Sequence, residues 1–201
     1  MSELERWETR FRAPGYVFGE EPNAFLKSNA HLLRKGQSAL SVADGEGRNG
    51  VWLAEQGLDV LAVDFSESAL AKAQALAARR GVPLRTELAD IFAWRWPQAA
   101  FDVVVAIFTQ VAFSPERTEF FLNLKRALKP GGLLLMQGYR TDQLEYRTGG
   151  PPEAERLYTR ALIETEFGDL ADLEIREHDS VINEGTAHVG MSALIDVVGR
   201  K

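Results

Sequence analysis

A glycine-rich stretch at residues 41–50, SVADGEGRNG, is the first place where residue types and spacing point to chemistry. Gly45, Gly47 and Gly50 follow the pattern G-x-G-x-x-G. Between a strand and a helix, such a turn lets the backbone approach a nucleotide, and the helix start offers free N–H groups. Asp64, at the end of the next predicted strand, is placed to accept hydrogen bonds from ribose hydroxyls. These residues predict a site for an adenosine-containing ligand.

Two acidic side chains within this turn bear on which ligand it suits. Asp44 and Glu46 lie where a pyrophosphate would bind. Two like charges about 5 Å apart repel by roughly 3 kcal/mol at an effective dielectric of 20, an upper value because side chains can turn away. A ligand with a sulfonium and an ammonium, such as S-adenosylmethionine, would instead be attracted. A nicotinamide cofactor is disfavoured but stays open.

The elements that would position this turn alternate between short apolar runs and helical patterns. Five runs predict strands at 38–43, 59–64, 83–88, 101–108 and 132–138. Helices are predicted between them, and this order is typical of a parallel sheet covered by helices. Two further runs, 173–183 and 190–199, have no helix between them and predict an antiparallel hairpin. We expect an α/β, Rossmann-like fold with a seven-stranded, mostly parallel sheet, an antiparallel C-terminal hairpin strand and helices on both faces.

Helix boundaries follow from capping residues. Ser66 predicts the start of a helix that Gly81 ends, and Ser114 followed by Pro115 predicts the start of another. A last helix is expected over 153–167. The loop 139–152 is long and polar, and we interpret it as a substrate-side loop. Residues 1–37 lie outside the alternating pattern and are expected to form a helical lid over a cofactor-binding domain at 38–201.

Composition excludes several classes of function. The formal charge of −6 opposes unspecific attraction to nucleic acid or to an anionic membrane. There is no cysteine, and the spacing of His31, His178 and His188 suits no metal site. No segment reaches the roughly 20 apolar residues of a membrane span. We therefore expect a cytoplasmic monomer or homodimer that acts on a small molecule, with no metal, nucleic acid or membrane partner.

The ordered set of motifs resembles the class I S-adenosylmethionine-dependent methyltransferases. The matching stretches are LSVADGEGRNG, VDFSESALAKA, ELADI, FDVVVAIF and LKPGGLLLMQG. With GEGRN and the front segment WETRFRAPGYVFGEEPNAFL, the chain looks closest to small bacterial methyltransferases of the tellurite-resistance and thiopurine-methyltransferase type. The chain departs from the family pattern at Ser41, where an acidic residue is usual, and at Ala43, where a glycine is usual. Asp44 is the alternative carboxylate.

The resemblance implies S-adenosyl-L-methionine as the cofactor and assigns residues to it. Gly45 and Gly47 would line the cofactor, Asp64 would bind the ribose, and Asp90 with Ile91 would meet the adenine. The full set of expected cofactor-binding residues is Asp44, Gly45, Glu46, Gly47, Asn49, Asp64, Phe65, Ser66, Asp90, Ile91 and Ile107.

The acceptor is less defined by the sequence. Methyl transfer is an in-line displacement that needs mainly positioning, so no catalytic base is obligatory and none is assigned. A thiol, oxyanion or hydroxyl acceptor is expected, bound by Tyr16, Phe18, Arg140 and Tyr146. His188, in the hairpin turn, is a weaker candidate for a base. Two other functions stay open: a NAD(P)-dependent oxidoreductase and an adenosylmethionine-binding module without catalysis.

Overall fold

The computed structural model describes residues 2–201 and contains one seven-stranded sheet in the order β3-β2-β1-β4-β5-β7-β6. The strands are β1 (Ser38–Val42), β2 (Asp59–Asp64), β3 (Arg85–Leu88), β4 (Phe101–Ile107), β5 (Leu128–Tyr139), β6 (Ala171–Glu184) and β7 (His188–Arg200). The first five are parallel, β7 runs antiparallel to β5, and β6 pairs with β7 as a hairpin. The predicted fold class is confirmed.

Seven α-helices accompany the sheet within the described residues. They are α1 (Glu3–Arg12), α2 (Ala24–Ser28), α3 (Arg48–Glu55), α4 (Glu67–Arg80), α5 (Glu116–Ala127), α6 (Gln143–Tyr146) and α7 (Arg160–Phe167), with short 3₁₀ turns at Ala30–Leu32 and Ala154–Arg156. The helices pack on two faces of the sheet, which gives two apolar clusters. One cluster includes Phe121 of α5 and Phe167 of α7. The other includes Leu53 of α3 and Leu76 of α4.

The expected helix from Ser66 to Gly81 is present as α4, and its ends follow the predicted capping. The Ser66 hydroxyl accepts a hydrogen bond from the Ala69 N–H, and Gly81 adopts a left-handed conformation at the C-terminus. Helix α5 begins one residue later than expected, with Pro115 in the N-cap position instead of Ser114. Capping signals therefore located both helices to within a residue or two.

The prediction of a helix over 153–167 is wrong in its first half, because α7 begins only at Arg160. The Tyr158 N–H donates to the Tyr139 carbonyl at 2.9 Å, and Tyr158 forms a bridge with Arg140. This backbone pairing holds residues 157 and 158 extended against the end of β5, so a helix cannot pass through them. Thr159 then caps α7 by accepting from the Leu162 N–H at 3.2 Å.

Two other boundaries also differ from expectation. Strand β5 begins at Leu128, four residues before the predicted Gly132, because Leu128 pairs with Phe101 across a bulge. Helix α3 begins at Arg48, so Gly50, the last glycine of the predicted turn, lies inside the helix.

Residues 2–37 pack against both α4 and the β6–β7 hairpin. Glu46 accepts hydrogen bonds from the Val17 N–H at 2.6 Å and from Lys72 Nζ at 2.7 Å. On the other side, the Thr186 N–H in the hairpin turn donates to the Val17 carbonyl at 2.9 Å. A Cβ added to Gly185 would lie 2.2 Å from that carbonyl, so only glycine permits the close approach. The N-terminal segment is thus held between α4 and the hairpin turn.

Candidate active site

Two adjoining cavities lie at the carboxyl ends of the parallel strands. The first, which we call the cofactor cleft, has a volume of 120 Å³ and is lined in part by Asp44, Gly45 and Asp64. The second, which we call the acceptor pocket, has a volume of 240 Å³ and includes Arg10, Gln110 and Tyr139. The residues that line both cavities are Trp7, Phe18, Phe108, Val111 and His188. The edge of the sheet at which they lie is where ligands bind in open α/β folds.

The three glycines of the turn meet separate steric requirements. Gly45 and Gly47 have φ values of 59° and 91°, in the left-handed region that favours glycine. A Cβ on Gly47 would lie 2.6 Å from the Cβ of Ala73, so Gly47 allows α4 to pack against the turn. A Cβ on Gly50 would lie 2.4 Å from an Asp44 carboxylate oxygen. Ala43, where the family has glycine, has a φ of 48°.

Asp64 holds the turn in place from the end of β2. Its two carboxylate oxygens accept hydrogen bonds from the Gly45 N–H and the Ser66 N–H, each at 2.9 Å. A carboxylate has about four lone-pair sites, so these bonds leave capacity for ligand hydroxyls. Asp64 lines the cofactor cleft, as expected for a ribose-binding residue.

Asp44 lines the cofactor cleft, and its carboxylate is held by groups from β1 and from the first turn of α3. Its Oδ1 accepts a hydrogen bond from the Ser41 hydroxyl at 2.6 Å, and the Gly50 N–H points at the carboxylate, 3.1 Å from Oδ1. Ser41, where the family has an acidic residue, thus positions the carboxylate of Asp44. Burial raises the pKa of Asp44 to about 7 and also raises the pKa of Asp64.

The charges of the cofactor cleft suit a cationic ligand. Arg48 is the one basic side chain on its lining apart from His188, and its Nη2 lies 2.8 Å from Glu184 Oε2. Asp44 and Asp64 therefore lie in the cleft without a lysine or arginine in ion-pair contact within residues 2–201. Buried carboxylates favour a nearby positive charge, because it offsets the desolvation of their ionised form. The residues present fit S-adenosylmethionine, whereas the phosphates of a nicotinamide cofactor would meet uncompensated negative charge.

Some predicted cofactor residues line the cleft and others do not. Those on its lining are Asp44, Gly45, Asn49, Asp64, Phe65 and Ile107. The Asn49 side-chain carbonyl accepts from the Asn23 N–H at 2.9 Å, so part of its capacity holds the N-terminal segment. Gly47, whose role is the contact with Ala73, is absent from the lining.

Four predictions receive no support from the geometry of the cleft. The Glu46 carboxylate is turned away from the cleft toward Val17 and Lys72. Ser66 is buried and caps α4. Asp90 is exposed and accepts from the Phe92 N–H at 3.0 Å, and Ile91 packs in the apolar core beside α5.

Of the four predicted acceptor residues, Phe18 lines the two cavities described above, and the other three line neither. The Tyr16 hydroxyl donates to the Lys72 carbonyl at 3.0 Å, which places the ring on α4. Arg140 and Tyr146 both bind Asp179 on β6, with 2.9 Å between the Tyr146 hydroxyl and Asp179 Oδ2. Their side chains are committed to this surface cluster outside both cavities.

The acceptor pocket contains residues that sequence analysis missed or ranked low. His188 is 8% exposed, and its ring lies 4.6 Å from both Phe18 and Phe108. His188 Nδ1 is buried without a hydrogen-bond partner, 3.7 Å from Glu184 Oε2. The Tyr139 hydroxyl is likewise buried and unpartnered. Buried polar atoms are nearly always hydrogen-bonded, so the Tyr139 hydroxyl indicates where a ligand would bind, whereas His188 Nδ1 faces Glu184.

Helix α1 supplies much of the wall of both cavities. Trp7 lines the two cavities, Phe11 lines the cofactor cleft, and their rings stack with centroids 5.4 Å apart. The Phe11 ring lies over the glycine turn, 3.5 Å from where a Cβ on Gly45 would be. Glu8 accepts hydrogen bonds from the hydroxyls of Ser66 and Ser68 at the start of α4. The sequence did contain a signal that α1 would cover the site: the N-terminal segment lies outside the strand–helix alternation, and its apolar residues follow a helical period of 3.6.

Comparison with known proteins agrees with this geometry. A sequence family described as a methyltransferase domain matches residues 39–132. The fold superposes on a solved structure with a TM-score of 0.78 at 18% identity, covering 100% of this chain and 92% of that one. That structure concerns the conversion of a disulfide bond into a thioacetal group during echinomycin biosynthesis. The chain belongs to the class I methyltransferases. The resemblance seen in the motifs is confirmed, and with it S-adenosylmethionine as the cofactor of the family.

Two further comparisons bear on this methyltransferase chain. TehB from Haemophilus influenzae has a TM-score of 0.72 at 17% identity, over 98% of this chain and 66% of that one, which shows a shared fold. A glycine/sarcosine N-methyltransferase from Halorhodospira halochloris is 30% identical over 142 residues, 67% of this chain and 48% of the relative. The chain spans about half the length of the curated relatives it matches. Within residues 2–201, no helix is long and apolar enough to cross a bilayer.

Proposed function

We propose that the protein transfers a methyl group from S-adenosylmethionine to a small molecule bound in the acceptor pocket. One observation carries this proposal: the cofactor cleft and the acceptor pocket adjoin and share a wall of five residues. Methyl transfer is an in-line displacement, which requires the two reactants to be held end to end with water excluded. When bound, the cofactor supplies a methyl group on a sulfonium. The protein supplies the two adjoining sites.

His188 is the residue best placed to take a proton from the acceptor. Its ring lines both cavities, and burial lowers its pKa, so the neutral form predominates at pH 7. With a proton on Nδ1 directed at Glu184, Nε2 is the nitrogen left to act as a base. Burial raises the pKa of Glu184, but the contacts with His188 and Arg48 outweigh it and lower that pKa to about 2. Glu184 therefore stays ionised and can orient the imidazole.

A base at this position allows acceptors that carry a removable proton. Thiols and hydroxyls lose it as they react, and an amine loses it during or after methyl transfer. The curated relative's name adds amines to the thiol, oxyanion and hydroxyl acceptors expected from the sequence. The oxidoreductase alternative is disfavoured by the unpaired carboxylates of the cofactor cleft.

The N-terminal segment is proposed to act as the lid of this site. Phe11 covers the glycine turn and Glu8 fastens α1 to the start of α4, so a movement of α1 would open the cleft to the cofactor. Lids of this kind exclude water and complete the site on closing. Limited proteolysis with and without S-adenosylhomocysteine tests the proposal, because ligand should protect residues 7–25; equal cleavage would count against it.

The first test of function is ligand binding by calorimetry and thermal unfolding. S-adenosylhomocysteine at about 100 times its dissociation constant should stabilise the protein by roughly 2.7 kcal/mol, or several degrees. NADH should give no shift. Stabilisation by NADH and not by S-adenosylhomocysteine would overturn the proposal. A screen of amines, thiols, oxyanions and hydroxyls for methyl transfer from labelled cofactor then separates an enzyme from a module without catalysis.

A further inference from the structure

The charge of the acceptor pocket is opposite to that of the cofactor cleft. Its lining includes Arg6 and Arg10 and contains no aspartate or glutamate. This occurs in a chain with a formal charge of −6. The cofactor cleft, one wall away, has Asp44 and Asp64. The two ligands should therefore differ in the sign of their charge.

Arg10 is the free cation of this pocket. Arg6 is paired with Glu3, whose Oε2 lies 2.6 Å from Arg6 Nη2. The carboxylate that acts on Arg10 from a distance, Glu46, is bound to Lys72 at 2.7 Å, and no carboxylate within residues 2–201 makes an ion pair with Arg10. Arg10 is an exposed residue, but partial desolvation of its guanidinium, with repulsion from Arg6, lowers its pKa. An anion beside Arg10 would offset both effects.

Aromatic rings fix the position of the Arg10 guanidinium. Its central carbon lies 5.1 Å from the centroid of the Trp7 ring and 5.3 Å from that of Phe18. Guanidinium groups stack on aromatic faces in this range and keep their N–H edges free for a carboxylate or similar anion. The side chain is therefore held at the pocket with its donors available.

The rest of the pocket defines the body of the ligand. Phe18, Phe108, Val111 and the pair Pro151 and Pro152 give apolar walls. His188 lies at the wall shared with the cofactor cleft, and Tyr139, whose hydroxyl is unpartnered, lies beside it in the acceptor pocket with the two ring centroids 5.7 Å apart. The polar contacts are thus separated into a cationic group at Arg10 and neutral hydrogen-bonding groups beside the cofactor cleft.

We propose that the acceptor pocket takes a small anionic acceptor, with its carboxylate or other oxyanion on Arg10, an apolar body between the aromatic walls, and its methyl-accepting atom at His188. The proposal rests on the proposed function and names the class of its substrate. It is independent of which heteroatom receives the methyl group.

Equilibrium binding to the protein saturated with S-adenosylhomocysteine tests this inference apart from turnover. Benzoate and benzamide serve as probes, since they share shape and differ in charge, and ligand-observed NMR gives the two dissociation constants. Benzoate should bind about tenfold more tightly than benzamide at low salt, a fold-change typical of one charge-assisted contact. Arg10→Gln should remove that preference and leave benzamide binding unchanged.

Arg34→Gln is the matched control, because it removes one positive charge from an exposed residue outside both cavities. It should keep the preference for benzoate. Equal binding of the two probes, binding of neither, or a preference that survives in Arg10→Gln would overturn the inference. Failure of S-adenosylhomocysteine itself to bind would instead count against the proposed function.

Discussion

Glu46 Oε1 lies 2.7 Å from Lys72 Nζ, and the other oxygen of the same carboxylate accepts the Val17 N–H at 2.6 Å. A residue of the glycine turn that we expected to face the cofactor therefore joins the turn to α4 and to the N-terminal segment. The Glu46 side chain is 2% exposed and that of Lys72 is 21% exposed, so the carboxylate end of the pair is largely removed from water. The contacts of Glu46 therefore predict that it contributes to the stability of the fold and not to ligand binding.

Glu46→Gln should reduce the free energy of unfolding without a matching loss of cofactor affinity. Breaking one largely buried ion pair while leaving Lys72 charged should cost about 1–3 kcal/mol. Denaturant unfolding measures the loss, and calorimetry on the folded variant should give a dissociation constant for S-adenosylhomocysteine within about twofold of wild type. Asp64→Asn is the contrasting variant and should weaken binding. A large loss of affinity in Glu46→Gln would contradict this assignment and show that Glu46 takes part in cofactor binding.

His188→Gln should lower kcat by about 10²–10⁴, the usual contribution of a positioned base. In the wild type, kcat should fall as the pH drops below the ordinary histidine pKa of 6.5, because burial lowers the pKa of His188. The charged or titratable groups around it are Glu184, Arg48, Tyr139 and Arg10. The acid limb of the pH profile should disappear in the variant. Unchanged kcat with a raised KM would assign His188 to positioning alone.

The same histidine links stability to pH. Its folded-state pKa is lowered, so unfolding takes up a proton below pH 6.5. The contribution of His188 to stability is present above the unfolded pKa and is lost as the pH falls through and below that value. Unfolding free energies measured across this window should decline less steeply in His188→Gln than in wild type, and parallel slopes would contradict the assignment.

Asp44 should make cofactor affinity depend on pH. Its pKa is raised to about 7 by burial, so it is mostly protonated at pH 6 and mostly ionised at pH 8. A cationic ligand prefers the ionised form, and affinity for S-adenosylmethionine should rise roughly tenfold between these values. Calorimetry at both values measures the change. Asp44→Asn should abolish the dependence, whereas Asp59→Asn, at an exposed position on β2, should preserve it.

Asp44 also acts on stability with the opposite sign to His188. Because its folded pKa lies above the unfolded value of 3.8, its contribution is fully present below that value and is lost as the pH rises toward about 7. Cofactor binding should reverse part of the loss. A stability curve for Asp44→Asn that matched the wild type over this window would contradict the raised pKa.

Ala43→Gly should stabilise the protein. Ala43 has a φ of 48°, a conformation that costs an L-residue roughly 1 kcal/mol and glycine almost nothing. Part of the gain is offset because glycine adds freedom to the unfolded chain. Thermal unfolding should show a rise of a few degrees at most. Ala99→Gly is the matched control, with a φ of 47° outside both cavities. It should give a similar gain and leave cofactor binding untouched.

The number of strands and their parallel or antiparallel direction followed from local patterns in the sequence, and the cofactor followed from the resemblance of its motifs to a known family. Alternating apolar runs located all seven strands, and the turn around Gly45 with Asp64 identified the ligand-binding edge. Local patterns failed where long-range pairing decides the backbone. The hydrogen bond between Tyr158 and Tyr139 interrupts the expected last helix, and no periodicity near residue 158 reveals it.

The acceptor pocket was harder to predict than the cofactor cleft. Its walls come from α1, from the loop after β4, and from β5 and β7, which are far apart in the chain. Arg140 and Tyr146 had suitable chemistry, but Asp179 on β6 binds both. Such competition between polar groups becomes visible only once distant strands are in register. His188 was expected in the hairpin turn, but it begins β7 and is buried, with its ring packed against Phe18 and Phe108.

The position of Phe11 over the glycine turn has a consequence for the sequence of binding events. In the proposed lid movement, α1 is lifted for the cofactor to enter, yet Arg10 and Trp7 on that same helix form part of the acceptor pocket. The acceptor pocket is therefore complete only after α1 has closed again. Binding should be compulsorily ordered, with the cofactor first and the demethylated cofactor leaving last.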